Sequence, residues 1–232
     1  MSPKPLPNPL ARAGSLWRRS LAMSEQEFPD VYSLLRYIST EPTKVHDYFN
    51  LACLPVVVGF ALHFIRKGTH FATFAGLSYA YFTADAVWVI VKPSCVKSPG
   101  VIVGHHVLTM LYILLPVMYT ELRMYMALCL LVEVNTFFLI LRRLWHVPPV
   151  SICFYLTWIG IRLVLYPYLI WEFALLYADK VRQGQWLHPF FFCPAFQTML
   201  TLLNVKWTID LVQRKLKTLR DPSAAKEPAK GL

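Results

Sequence analysis

The chain alternates long apolar runs with short polar joints. The runs lie at about 48–65, 71–91, 101–120, 122–141, 150–172 and 189–212, each near the ~20 residues that a helix needs to cross a bilayer core. Because the joints are short, successive helices are expected to be antiparallel neighbours. Pro167 falls inside the fifth run and predicts a kink there. Ahead of the first run, Ser24 to Glu27 has the form of a capping box opening "EFPDVYSLLRYIST". Phe28, Val31, Tyr32, Leu35 and Ile38 then recur on one helical face. That pattern predicts an amphipathic interfacial helix within 24–44, ended before Pro42. The fold class expected is all-α: a polytopic membrane bundle of about six transmembrane helices.

Composition strengthens this reading. The chain is 56% hydrophobic and 16% charged, with a mean hydropathy of +0.44. Soluble domains carry roughly a quarter charged residues. The five cysteines (Cys53, Cys95, Cys129, Cys153 and Cys193) are scattered and form no CxxC pair, so neither a disulfide framework nor a zinc site follows. They read as small apolar packing residues.

The formal charge of +10 bears on topology first. Lys92, Lys97, Arg142, Arg143 and both basic terminal segments fall on one side of the alternating spans. Arg66, Lys67, Arg123, Lys180 and Arg182 fall on the other, where they are fewer. The positive-inside rule therefore puts both termini in the cytosol. Nucleic acid does not fit as a partner, because no basic stripe interleaves with aromatics on a soluble face. Residues 1–23, with prolines at 3, 5, 7 and 9 and several arginines, read as a disordered basic tail or as an organelle transit segment. Residues 216–232 read as a polar cytosolic tail.

Ionisable groups inside membrane spans are rare and point to function by default. Here they are Asp85, His105, His106, Glu133, Arg162 and, near the end of the last run, Lys206, with Asn204 as a neutral companion. All fall in the half of their spans nearer the cytosolic ends, and charges at low dielectric need one another. The expectation is a polar cavity open to the cytosol. Lys206 and Asp210, four apart, read as a snorkelling pair, and Asn204 with Thr208 as interhelical glue. Adjacent helical histidines diverge by ~100° and lack the i, i+4 spacing of helical metal sites, so no metal is expected. Acid–base or nucleophilic work suits the pair better. Thr109 shares their face, and Glu133 or Asp85 would hold the far nitrogen of one imidazole. His46, His63, His70, His146 and His188 sit singly in loops or at span ends.

Four stretches resemble the TLC-domain family, whose members include the ceramide synthases. They are "YFTAD" (Tyr81 to Asp85), "HHVLT" (His105 to Thr109), "LLVEVNTFFLILRR" (through Glu133, Asn135, Thr136, Arg142 and Arg143), and the late pair "IGIRLVLYP" with "LLNVKW" (Arg162; Asn204 and Trp207). The resemblance covers roughly 45–215 and implies an endoplasmic-reticulum membrane bundle with a polar cavity. The membrane would be another organelle's if 1–23 is a transit segment. In ceramide synthases the histidine pair is linked to acyl transfer from acyl-CoA. Carried over, His105 and His106 would do the acyl chemistry, with Glu133, Asp85 and Arg162 orienting and balancing them. Ceramide synthases follow the pair with a His-Asp-x-x-Asp pattern. This chain has Glu133, Asn135 and Thr136 instead, closer to the smaller TLC-domain proteins linked to phospholipid composition, membrane fluidity or cargo export.

Two functions follow as expectations. One is a lipid acyltransferase with no bound cofactor and acyl-CoA as co-substrate, its acidic head met by Lys92, Lys97, Arg142 or Arg143. Thr109, Asn135, Thr136, Asn204 and Trp207 would help to bind the lipid. The other is a non-enzymatic lipid-binding regulator or cargo adaptor using the same cavity. Membrane lipids are partners in both, and a homodimer or a membrane-protein partner is compatible with either.

Overall fold

The computed structural model describes residues 40–220. The tail at 1–23 and nearly all of the 24–44 helix lie outside those residues, as does the end of the polar tail. Within them run six long helical segments: α1 (Pro42–Lys67), α2 (Phe71–Val91), α3 (Pro99–Met118), α4 (Thr120–Leu144), α5 (Pro148–Arg182) and α6 (Phe192–Arg220). Prolines open α1, α3 and α5, where a missing N–H costs nothing because that donor has no partner in the helix. Gly68 and Gly184 follow helix ends with φ of 68° and 81°. That left-handed region is one an L side chain resists, so glycine stops the helix there.

The first five helices are long and apolar enough to span a membrane. The sixth, expected to do so too, has the length but less apolarity, because Gln197, Asn204 and Lys206 interrupt it. Gln197 and Asn204 are buried, so their polarity is spent on the bundle interior. Helix α6 also runs on through Arg220, so 216–220 is helical rather than tail. The whole molecule is apolar outward: Val87, Ile90, Leu111, Val117, Leu156, Val164 and Leu202 are exposed, while Asn50, Asp85, Glu133, Arg162 and Gln197 are buried. A chain surrounded by lipid distributes its polarity this way, since lipid satisfies no polar group. This is a polytopic all-α membrane bundle.

Two helices depart from regular geometry near the buried polar groups. Helix α4 tightens at Leu131, whose N–H bonds to Leu128 O three residues back. Its second half begins at Val132, just before Glu133. Helix α5 widens into a π-helix over Trp158–Leu165, with Arg162 inside it. Tyr166 N–H bonds to Ile161 O five residues back, and Pro167, which has no N–H to give, comes next. The proline on which a kink was expected is thus preceded by a π segment, a feature that is frequent at functional sites. The second half of α4 packs on the start of α5, α2 packs on α3, and α6 packs on α5. One apolar cluster (Leu54, Phe64, Phe74, Phe82, Ala127) joins α1, α2 and α4; another (Leu122, Leu169, Phe173, Phe190, Cys193) joins α4, α5 and α6.

Candidate functional site

The site begins with two i, i+4 pairs. His46 and Asn50 share one face of α1, and Tyr81 and Asp85 share one face of α2. Where these faces meet, His46 Nε2 lies 2.6 Å from Asp85 Oδ1, and Asn50 Nδ2 donates to the same oxygen at 3.3 Å. Tyr81 O–H donates to Asn50 Oδ1 at 2.7 Å, which fixes the amide. From α3, His106 Nε2 comes within 2.6 Å of the other oxygen, Asp85 Oδ2. Asp85 is only 3% exposed. A carboxylate can only accept, so both facing imidazole nitrogens carry protons. A neutral His106 therefore keeps its lone pair on Nδ1, an atom that is buried and has no hydrogen-bond partner.

His105 points elsewhere, as helical geometry demands. Its ring centroid is 5.4 Å from that of His106 and it meets the Trp207 ring edge-on at 5.8 Å. Its Nδ1 is also buried without a partner. Thr109 was expected to serve the imidazoles. Its hydroxyl instead donates to the His105 backbone carbonyl at 2.9 Å, because a helical threonine reaches the i−4 carbonyl more easily than a side chain that leans away. Glu133 was the other candidate to hold a histidine; Asp85 is the carboxylate that hydrogen-bonds to His106.

A second centre forms around Arg162. Its Nε donates to Asn135 Oδ1 at 2.7 Å, Nη1 to Asn204 Oδ1 at 2.6 Å and Nη2 to Thr136 Oγ1 at 3.3 Å. Asn135 is locked in turn, its amide donating to Phe154 O and Thr157 Oγ1, both at 3.0 Å. The guanidinium carbon lies 5.0 Å from the Trp158 ring centre and 5.4 Å from that of Trp207. Trp158 is anchored through its N–H to Thr208 Oγ1 at 3.0 Å. Arg162 was expected to balance the carboxylates directly. Among the described residues it makes no ion pair within 4 Å of a carboxylate.

Both centres face one cavity of about 160 Å³. His46, Asn50, Asp85, His105, His106, Glu133, Thr136, Arg143, Arg162, Asn204 and Trp207 all contribute to its wall. A smaller apolar chamber of about 30 Å³ adjoins it, lined by Thr109, Tyr112, Ile113, Pro116, Leu122, Met126, Leu130 and Phe173 among others. The two chambers share His105, Val132, Glu133, Tyr166 and Leu200.

Residues singled out from separate runs therefore meet: Asp85, His105, His106, Glu133, Thr136, Arg162, Asn204 and Trp207 stand around one space, with Asn135 behind Arg162. Of the two arginines among the basic residues expected to meet an acidic head group, one lines the cavity. Arg142 lies over the Phe154 and Tyr155 rings, at 4.8 and 5.1 Å, away from the cavity wall. Arg143 lines the cavity and pairs with Asp47. Lys206 and Asp210 form an exposed pair at 2.9 Å. Sequence reasoning missed His46, Asn50, Asp47 and Trp158. The i, i+4 repetition of His46 with Asn50, opposite Tyr81 with Asp85, was the one signal available. It was hidden because His46 precedes the apolar run at 48–65 that marks the first span.

A family model, the TLC domain, matches residues 61–213 of this chain. That span contains Asp85, the histidine pair, Glu133, Arg162 and Asn204, and it begins after His46 and Asn50. No curated protein and no solved structure matches the chain.

Proposed function

This chain belongs to the TLC-domain family and is a membrane protein of lipid metabolism or sensing; from that premise we propose that it transfers an acyl group from acyl-CoA to a lipid amine or hydroxyl inside the two-centred cavity. The observation that carries the reading is the state of His106. Asp85 holds its Nε2 at 2.6 Å while Nδ1 is left buried and unpartnered. A carboxylate on one nitrogen raises the basicity of the other and fixes the tautomer. Nδ1 then takes the proton from the attacking amine or hydroxyl as its N or O bonds to the thioester carbon, and gives that proton to the CoA sulfur as the C–S bond breaks and free CoA leaves; alternatively Nδ1 itself attacks the thioester, CoA leaves as the thiol, and the acyl group passes from Nδ1 to the amine or hydroxyl. His46, on the opposite oxygen of Asp85, keeps that carboxylate from rotating away. Both termini in the cytosol and residence in the endoplasmic reticulum complete the proposal; the basic residues beside the 92–98 and 142–147 joints support that orientation.

A second reading, a lipid-binding regulator of phospholipid composition or a cargo adaptor, draws on a different observation. Asn135 and Thr136, which stand where ceramide synthases carry acidic residues, serve Arg162 rather than the histidines. One experiment separates the two. The purified full chain in vesicles is given acyl-CoA and a long-chain lipid amine or alcohol. Product formation that disappears in His106→Ala supports transfer. Turnover that survives in both His105→Ala and His106→Ala discards the mechanism. A wild type with no turnover, but whose presence alters cellular phospholipid composition, favours the regulator.

A further inference from the structure

Arg162 is a cation 6% exposed, and all three of its hydrogen-bond partners are neutral oxygens. A guanidinium has five N–H groups. Three are committed, which leaves one on each terminal nitrogen. Beside it, Asn204 Nδ2 is buried with no partner, although Asn204 is only 2% exposed. Three donors thus stand at one end of the cavity with no acceptor, around a charge that no carboxylate of the described residues touches. An uncompensated cation in a membrane interior is costly, and low-dielectric walls, here Trp158 and Trp207, strengthen its pull on an anion.

We infer that Arg162 and Asn204 form a binding site for the free carboxylate of a single-chain lipid, an unesterified long-chain fatty acid, whose tail lies along the apolar wall of the larger cavity at Val132, Leu139, Ile140 and Leu200. The number and kind of donors select the head group. Two N–H groups on separate guanidinium nitrogens match the two oxygens of a planar carboxylate, and the asparagine amide supplies a third bond. A carboxylate brings one negative charge to one guanidinium. A phosphate monoester would bring nearly two into a space that already faces Asp85 and Glu133. Val132, Leu139, Ile140 and Leu200 give the same cavity an apolar wall for the tail. The site stands whether or not the histidines turn over a substrate, since it uses neither.

The test is displacement of a fluorescent fatty acid from the delipidated full chain in detergent, with oleate, oleyl alcohol and oleoyl lysophosphatidate as competitors. Oleate is expected to bind about 10- to 100-fold more tightly than the alcohol, the range for charge-assisted hydrogen bonds. His106→Ala keeps that preference, Asn204→Leu narrows it, and Arg162→Lys, which retains the charge but not the paired donors, removes most of it. Equal affinity for oleate and the alcohol in the wild type overturns the inference without any variant, so a misfolded Arg162→Lys does not rescue it. Lysophosphatidate outcompeting oleate overturns the carboxylate assignment, and loss of oleate binding in His106→Ala moves the site to the histidines and overturns it too. Because binding is read without acyl-CoA, failure here leaves the transfer proposal standing, and the reverse holds.

Discussion

Asp85 and Arg162 are buried charges on the wall of one cavity, yet they are held in opposite ways. The carboxylate is surrounded by three donors from two other helices, two of them imidazoles that can change protonation. The guanidinium is surrounded by amide and hydroxyl oxygens that cannot. One centre is therefore built to share and move a proton. The other keeps a fixed charge with donors to spare. The two centres share no hydrogen-bond partner, so a substitution in one leaves the direct partners of the other in place.

The sharpest way to break this comparison is to remove the fixed charge's frame. Arg162→Leu leaves Asn135, Asn204 and Thr136 without their common donor and should destabilise the fold at about 1–3 kcal/mol for each buried acceptor left unpaired, read as a lowered midpoint in detergent-denaturant unfolding. An unchanged midpoint would mean that the guanidinium is not a structural tie. Next in size, His106→Ala should lower acyl transfer by about 10²- to 10⁴-fold, with a loss of stability of about 1–3 kcal/mol from leaving Asp85 Oδ2 unpaired; transfer that stays at the wild-type rate in the folded variant would make the imidazole a packing residue. His46→Gln keeps a donor near Asp85 but loses the titratable ring. A loss of transfer near tenfold, about 1.4 kcal/mol in the barrier, is expected, and full activity would show that only one of the two imidazoles matters. Smallest of all, Thr109→Val removes a hydroxyl that reaches only its own helix, so transfer and stability should both stay within about 0.5 kcal/mol.

The ionisable centres were legible because charge inside an apolar run is conspicuous: Asp85, the histidine tandem, Glu133 and Arg162 each interrupt a span. Their partners were less so. His46 lies at the beginning of α1, before the run that marks the helix, and a lone histidine there is unremarkable. Trp158 was hard to single out because aromatics in a membrane chain are ordinary; Trp207 stood out only through the stretch it shares with Asn204. Spacing placed Thr109 beside the histidines but could not give the direction of its hydroxyl, which donates to the His105 backbone carbonyl. The π segment around Arg162 had only Pro167 as an outward sign, and a proline predicts a disturbance without saying which kind.

Hydropathy alone determined that this chain folds as membrane-crossing helices and which of their residues do not belong in lipid, because the bilayer penalises every unpaired polar group wherever it falls along the run. Which of those groups would meet was left open. Each helix can turn about its own axis and choose among neighbours at little cost to its hydropathy. Only the packed bundle, by setting α1 against α2 and the widened turn of α5 against α4 and α6, decided that Asp85 is held by two histidines and Arg162 by none of the carboxylates.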